Sequence, residues 1–152
     1  MNKTNHSNIL IIGGGCAGIS VATRLHNLKS DLSISIIEPS DQSLYQAAWT
    51  LVGAGAYDKD KTIKPMTEVM PNYVNWIKDH AESFAPESNS VKTSNGEYSY
   101  DYLVVCPGLK INYAGIPGLQ ESIGKNNVCT NYSADMAVYT WECLKNLKGG
   151  TL

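Results

Sequence analysis

Arginine is almost missing from this chain: one Arg stands against eleven Lys in 152 residues. That imbalance reads as a base-composition bias, not as function. No surplus of basic residues exists either. The formal net charge is −2, so no broad basic surface advertises nucleic-acid binding. Charged residues are few, at 17% against 43% hydrophobic, the profile of a globular domain and not of a disordered one. No apolar run approaches the ~20 residues needed to span a bilayer. Only a short polar lead precedes the first apolar run near Asn8, so no signal or transit peptide is expected, unless one has been removed. Internal repeats and low-complexity tracts are missing. The four cysteines, Cys16, Cys106, Cys129 and Cys143, form no CxxC pair and no Cys/His cluster of zinc-ligand spacing, so no metal site is expected. A disulfide-stapled secreted domain is disfavoured, and a reducing compartment is the better default.

What is present begins with a βαβ unit. Asn8–Ile12 is an apolar, β-branched run that ends in Gly13-Gly14-Gly15, as a buried parallel strand entering a tight turn would. Ile19, Ala22, Leu25 and Leu28 then recur at helical spacing from Cys16 to Leu28. Leu32–Ile37 is a second strand, and a right-handed crossover should join the two. Ser40–Ala56 is a mixed stretch, and Pro65–Met70 fits one or two helical turns. Three short β-like runs follow at Tyr73–Lys78, His80–Ala85 and Ser90–Thr93. Asn95-Gly96 signals a hairpin leading into Glu97–Cys106, whose Tyr102–Val105 segment reads as a buried strand. Gly115–Gly118 is a loop. The last helix should run from Ser133 to Lys148, with Ser133 as N-cap, Asp135 favouring the dipole and Gly149-Gly150 as the stop. Thr151-Leu152 looks like the opening of another strand. The fold class is therefore α/β, with a parallel Rossmann-type sheet and a small antiparallel meander beside it.

The chemistry-bearing motif is Gly13-x-Gly15-x-x-Gly18 between that first strand and helix. The first glycine makes the turn, the second lets backbone approach a pyrophosphate, and the third lets helix and strand pack closely. The pyrophosphate would lie on free N–H groups at the positive end of the helix. Such a motif is weak alone, but Glu38 ends the second strand twenty residues past Gly18, where a carboxylate accepts hydrogen bonds from a ribose. A 2′-phosphate there would meet like charge at a cost of roughly 1–4 kcal/mol. FAD or NAD is favoured over NADP, and the motif alone does not separate those two. A glycine-rich turn that binds nothing is the bland alternative.

The meander inserted before the strand Tyr102–Val105 and the glycine turn Cys106-Pro107-Gly108 resembles the FAD domain of the pyridine-nucleotide-disulfide reductase superfamily, where that turn commonly reads Ala-Thr-Gly. Glu38-Pro39-Ser40, and Tyr45-Gln46-x-x-Trp49 running on through Gly55, resemble the signature of sulfide:quinone oxidoreductases, nearest the branch with the mitochondrial enzymes. Trp76-Ile77-Lys78, Tyr100-x-Tyr102-Leu103 and Asn131-Tyr132-Ser133 fit the same branch. No CxxxxC pair follows the first crossover, which disfavours the glutathione-reductase type. The resemblance implies FAD as cofactor, with Gly13, Gly15, Cys16, Ala17 and Gly18 along its pyrophosphate and Glu38 on the adenosine ribose. It places Gln46 against the cofactor, the Ala81 backbone at the adenine, and Gly108 near the pyrophosphate and flavin.

The resemblance also implies the activity. Sulfide attacks a cysteine disulfide and leaves a persulfide, a thiolate passes two electrons to flavin, and flavin passes them to a quinone. Sulfide and quinone are thus the expected substrates, and nucleic acid is no partner. Residues 1–152 are expected to be the N-terminal, truncated FAD-binding domain of such an enzyme. The second dinucleotide domain, the principal redox cysteines and the parts that dock on the membrane would lie further along. The whole enzyme would sit on an inner or cytoplasmic membrane surface, while this piece would be soluble and inactive alone. Cys129, in Val128-Cys129-Thr130, sits where some branches carry a cysteine near the flavin, so a supporting redox role competes with a structural loop thiol. Cys16, at a helix start, reads mainly as a small residue packed under the cofactor, with a dipole-activated reactive thiol as the alternative, and Cys106 as a small core residue. Cys143, half a turn from Ala134, reads as inert or partly exposed. His26 and His80 read as isolated surface histidines, and His6 as part of a mobile tail. Tyr45 and Trp49 either wall the flavin or quinone site or pack a core. Competing readings are a type II NADH:quinone oxidoreductase, a flavocytochrome-type sulfide dehydrogenase and a non-catalytic nucleotide-binding module.

Overall fold

A computed structural model describes residues 5–149. The strand start read at Thr151-Leu152, and Gly150 of the helix stop, lie outside the described residues. The chain divides into two units. The first comprises residues up to Ser43 together with Pro65–Gly108, and the second Leu44–Lys64 with Leu109–Leu152.

The first unit is built on one six-stranded sheet. Its strands are β1 (His6–Ile12), β2 (Ile34–Ile37), β5 (Val74–Ile77), β6 (Ala81–Ala85), β7 (Ser90–Thr93) and β8 (Gly96–Val105), in the order β5-β2-β1-β8-β7-β6. β5, β2, β1 and β8 run parallel, with Ile9 opposite Ile34 and Tyr102, and Ile36 opposite Trp76. β7 pairs antiparallel with both β8 and β6. Helix α1 (Cys16–Leu28) follows β1, and the single turn α3 (Met66–Val69) precedes β5.

The period of two in β1 divides the core. Ile9 and Ile11 face one layer with Ile34, Ile36, Val74 and Ala22 of α1. Leu10 and Ile12 face the other with Ile37, Ile77, Val91 and Tyr100. Leu10, Ile11, Ile36 and Ile37 are essentially sealed from solvent, each contributing about 1.5–3 kcal/mol by burial. That is why these strands read as unbroken apolar runs: both faces are covered.

Several boundaries differ from the expectation. His6 is not in a tail but opens β1, its Nδ1 3.0 Å from Ser99 Oγ and its Nε2 3.4 Å from Asp101. His26 is not isolated; its ring stacks on Tyr73 at 3.7 Å. The run beginning at Tyr73 is no meander strand. It forms β5, the outer parallel strand beyond β2, so the antiparallel part is β6-β7-β8, continuous with the main sheet through β8. The hairpin loop is Ser94-Asn95, since Thr93 already pairs with Gly96. Tyr102–Val105 is not wholly buried: Tyr102 and Val105 are exposed.

Asp79 fixes that hairpin. Its carboxylate accepts from Ser94 Oγ (2.6 Å) and from the Asn95 backbone N–H and side-chain amide (3.0 Å each). It also accepts from the His80 N–H at 2.8 Å. These donors, Ser94 foremost, hold the Asp79 carboxyl well below the usual carboxylate range.

In the second unit, α2 (Trp49–Gly53) packs on α5 (Ala134–Lys145) around Trp49, Val52 and Ala137. Trp49 therefore packs a core, with its indole N–H donated to Thr62 Oγ1 at 3.2 Å, whereas Tyr45 is exposed. Gly53 lies against the Asn131 amide, and Gly55, at φ +71°, lies against the Trp141 ring. Ser133 does stand at the N-cap position of α5 in an extended conformation, but its side chain makes no capping bond. Its carbonyl accepts from the Ala137 N–H at 2.9 Å. The helix ends at Lys145, earlier than read. A single turn, α4 (Leu119–Ser122), follows the Gly115–Gly118 stretch. Two short strands, β3 (Gln42–Leu44) and β4 (Ile63–Pro65), form a separate two-stranded sheet.

A methyl group at Gly55 would sit 2.3 Å from the Trp141 ring. Gly55→Ala should thus cost roughly 1–3 kcal/mol, read as a lowered midpoint of thermal unfolding; an unchanged midpoint would contradict this packing. For Asp79 the sign is set by its lowered folded-state pKa. The unfolded carboxyl, at its ordinary 3.8, takes up a proton first, so Asp79's stabilisation is complete above about pH 5 and is lost as the solution is acidified through the folded-state pKa. Asp79→Asn should flatten the acid limb of the urea midpoint plotted against pH. An equally steep limb in both proteins would rule that role out.

Candidate functional site

The first unit gathers its chemistry where β1, β2 and β8 end together. Ile12 closes β1, and its carbonyl accepts from the Cys106 N–H at 2.7 Å, while Gly13 N–H donates to the Ile37 carbonyl at 2.9 Å. Gly13 has φ +99°, and a methyl group there would lie 2.1 Å from the Cys106 carbonyl oxygen. Gly18 backs onto Gly13, with a virtual Cβ only 1.9 Å from its carbonyl oxygen. Gly15 is the opposite case: no heavy atom lies within 4 Å of its added Cβ. Two of the three glycines thus serve close packing, and one faces open space.

That open space adjoins the start of α1. Gly15 caps the helix in an extended conformation with no side-chain bond, and no acidic residue stands in the first turn. Gly15, Cys16 and Ala17 are exposed. Their backbone N–H groups, which have no acceptor within a helix, lie at the positive end of its dipole. The arrangement suits an anion. Cys16 is accordingly not buried under protein; it is an exposed thiol in the first turn.

Glu38 turns back toward the loop. Its Oε2 accepts from the Gly14 N–H at 2.8 Å and its Oε1 from the Ser40 N–H at 2.7 Å. Trp76 of β5 donates its indole N–H to the Glu38 carbonyl at 2.8 Å, and Glu38 N–H reaches the Ile77 carbonyl at 3.0 Å. The carboxylate is thereby held by two backbone donors, which uses about half of its hydrogen-bond capacity. A cleft of about 230 Å³ runs from this point between Gly13, Glu38, Asp79, His80, Ala81 and Pro107. Gly108, at φ +73°, closes the first unit, with open space around an added Cβ.

So Gly13, Gly15, Cys16, Ala17, Gly18, Glu38, Ala81 and Gly108 all belong to this end of the first unit. Gln46 and Cys129 belong to the second. Gln46 is exposed and opens a 3-10 turn, Gln46–Ala48, whose Ala48 is buried. Cys129 lies in the loop before α5, its thiol donating to the Asn127 carbonyl at 3.4 Å. The sequence reading missed three participants. Trp76 was seen only as a family match, yet it fixes the Glu38 backbone. Asp79 was unremarked, yet it braces the cleft's far wall. Cys143 is partly exposed, as one of its two readings has it, but that reading does not foresee that it lines a cavity together with Cys129. Among the described residues no cluster of three or more His, Cys, Asp or Glu could hold a metal, and no helix is long and apolar enough to cross a membrane.

This strand–glycine turn–helix–acid geometry coincides with a family match over residues 7–137, to the pyridine nucleotide-disulphide oxidoreductases. The chain belongs to that family. Within the family, it is 43% identical over 150 residues to the mitochondrial sulfide:quinone oxidoreductase of Dictyostelium discoideum, covering 97% of this chain and 33% of the relative. It is 37% identical over 147 residues to the mouse mitochondrial enzyme, covering 96% and 33%. Among solved structures it is similar to the sulfide:quinone oxidoreductase of Aquifex aeolicus, with a TM-score of 0.72 and 30% identity over 92% of this chain and 31% of that one. The chain thus spans about a third of the length of these relatives.

The glycines make a paired prediction. Gly18→Ala should lower stability by roughly 1–3 kcal/mol, because helix and loop must separate. Gly15→Ala should stay within about 0.5 kcal/mol of the parent. Urea unfolding of both variants decides it; equal losses would refute the division of labour.

Proposed function

We propose that the glycine loop, the start of α1 and the Glu38 cleft hold the adenosine diphosphate half of FAD, in an enzyme that oxidises sulfide and reduces a quinone. The observation that carries the cofactor part is the anchored Glu38 carboxylate. Two backbone N–H groups hold it beside the loop, and a carboxylate has capacity for about four hydrogen bonds. The remaining capacity suits two adjacent ribose hydroxyls and repels a 2′-phosphate.

In this assignment Gly13, Gly15, Cys16, Ala17 and Gly18 line the pyrophosphate. The N–H groups at the start of α1 balance its charge, and the absence of a Cβ at Gly15 leaves room for it. Ala81 presents backbone to the adenine, and Gly108 approaches the pyrophosphate and flavin side. Gln46 as a cofactor contact and Cys129 as a supporting redox thiol rest on the family resemblance alone. FAD, when bound, supplies the two-electron acceptor and donor that links sulfide to quinone. The residues of this chain bind and orient it. Similarity to enzymes named sulfide:quinone oxidoreductases in two eukaryotes and a bacterium supports the substrate pair. A quinone substrate implies work at a membrane surface.

Two measurements test this reading. Isothermal titration of the chain with ADP and NADP should show ADP binding, with NADP weaker. Glu38→Gln should weaken ADP roughly tenfold or more, as loss of hydrogen bonds to a charged group requires. Equal affinity in parent and variant would remove Glu38 from the site. In protein expressed from the complete reading frame, sulfide should bleach the flavin absorbance without NADH; bleaching by NADH alone would instead favour a type II NADH:quinone oxidoreductase.

A further inference from the structure

We propose that Cys129 and Cys143 are a dithiol that closes to a reversible intrachain disulfide, stapling the loop before α5 to the helix itself. The site lies wholly in the second unit and does not depend on the cofactor assignment. Both thiols are half-buried and line one cavity of about 420 Å³, walled by Thr140 and Leu144 of α5 and by Leu147 just past its end. The Cys143 thiol adjoins that of Cys129, and together with burial, the larger effect, it pushes the Cys129 thiol up.

The loop is held in place for the encounter. Tyr139, one turn before Cys143, receives the Asn127 N–H on its hydroxyl at 3.2 Å. Asn126 and Asn127 both take positive φ, turning the chain sharply. Gly124 N–H donates to the Val128 carbonyl at 3.0 Å, and Val128 N–H to the Lys125 carbonyl at 2.9 Å. The loop therefore folds on itself, and Cys129 is presented to the side of α5 that carries Thr140 and Cys143. Helical spacing alone left that flank looking unoccupied.

The oxidant is a low-molecular-weight disulfide, RSSR. One thiolate of the pair attacks RSSR, forming a mixed disulfide and releasing one RS⁻. The second thiolate attacks the protein sulfur of that mixed disulfide and releases the other RS⁻. The two protons given up by the cysteines end on two RSH; the protein loses two electrons and RSSR gains them. Burial keeps the Cys129 thiol protonated and makes it a slow attacker. The same burial makes it a poor leaving group, so the closed form should resist reduction once made.

The test is incubation of the protein with glutathione disulfide over a series of glutathione ratios, alkylation of remaining thiols, and peptide mapping without reduction. The expected result is a Cys129–Cys143 linked peptide as the dominant product, with both of these cysteines lost from the alkylatable pool whatever the state of Cys16. Cys143→Ser should replace the link by a persistent glutathione adduct on Cys129. Persistent glutathione adducts on both cysteines of the parent protein, links to Cys16 or Cys106, or no reaction at either residue under conditions that modify exposed Cys16 would each overturn the proposal.

Discussion

The closeness of Gly18 to the Gly13 carbonyl governs the rest of the first unit. With 1.9 Å between that oxygen and any added Cβ, only glycine allows α1 to start where it does. The start of α1 then leaves its first N–H groups uncapped and facing outward. Gly13 in turn bends over the Cys106 carbonyl, which joins the ends of β1 and β8. Glu38 completes the knot by accepting from Gly14 N–H. Loop, helix start and acid thus form one rigid object, supported by the Ile9–Ile12 core on both sides of the sheet.

That object offers the proposed nucleotide site a frame without mobile side chains. Its positive end is backbone, its space is the missing Cβ of Gly15, and its one charged side chain is already tied by two backbone donors. Pre-tied groups lose little freedom when a ligand arrives. Trp76 and Asp79 extend the same economy outward. Trp76 clamps the carbonyl of the residue whose carboxylate matters, and Asp79 sets the hairpin behind Ala81. Neither needs to touch a ligand to position what does.

Legibility in the sequence followed the range of the interactions. The βαβ unit was readable because its periods and glycines are local: Asn8–Ile12, Cys16–Leu28 and Glu38 all stand where spacing placed them. β5 was misassigned because nothing in Val74–Ile77 says whether its partner is β2 or a neighbouring hairpin strand; pairing is long-range. The hairpin loop fell on Ser94-Asn95 because Asp79, fifteen residues earlier, supplies donors' partners that outweigh the Asn-Gly preference. The glycines of the Trp49–Gly55 block were recognised as a signature, but their reason, the Asn131 amide and the Trp141 ring, appears only when α2 meets α5. Cys143 was missed because a helical wheel records angles and not the loop that folds against them.

The central claim, that the α1 start and Glu38 form a nucleotide cradle, is tested most directly by amide chemical-shift mapping of the isotopically labelled chain during addition of ADP. The account predicts the largest shifts at Gly14–Ala17 and Ser40, extending to Ala81. Shifts centred instead on the separate polar cleft at Ser7, Ser35 and Asn75, or shifts spread evenly over the surface, would contradict it.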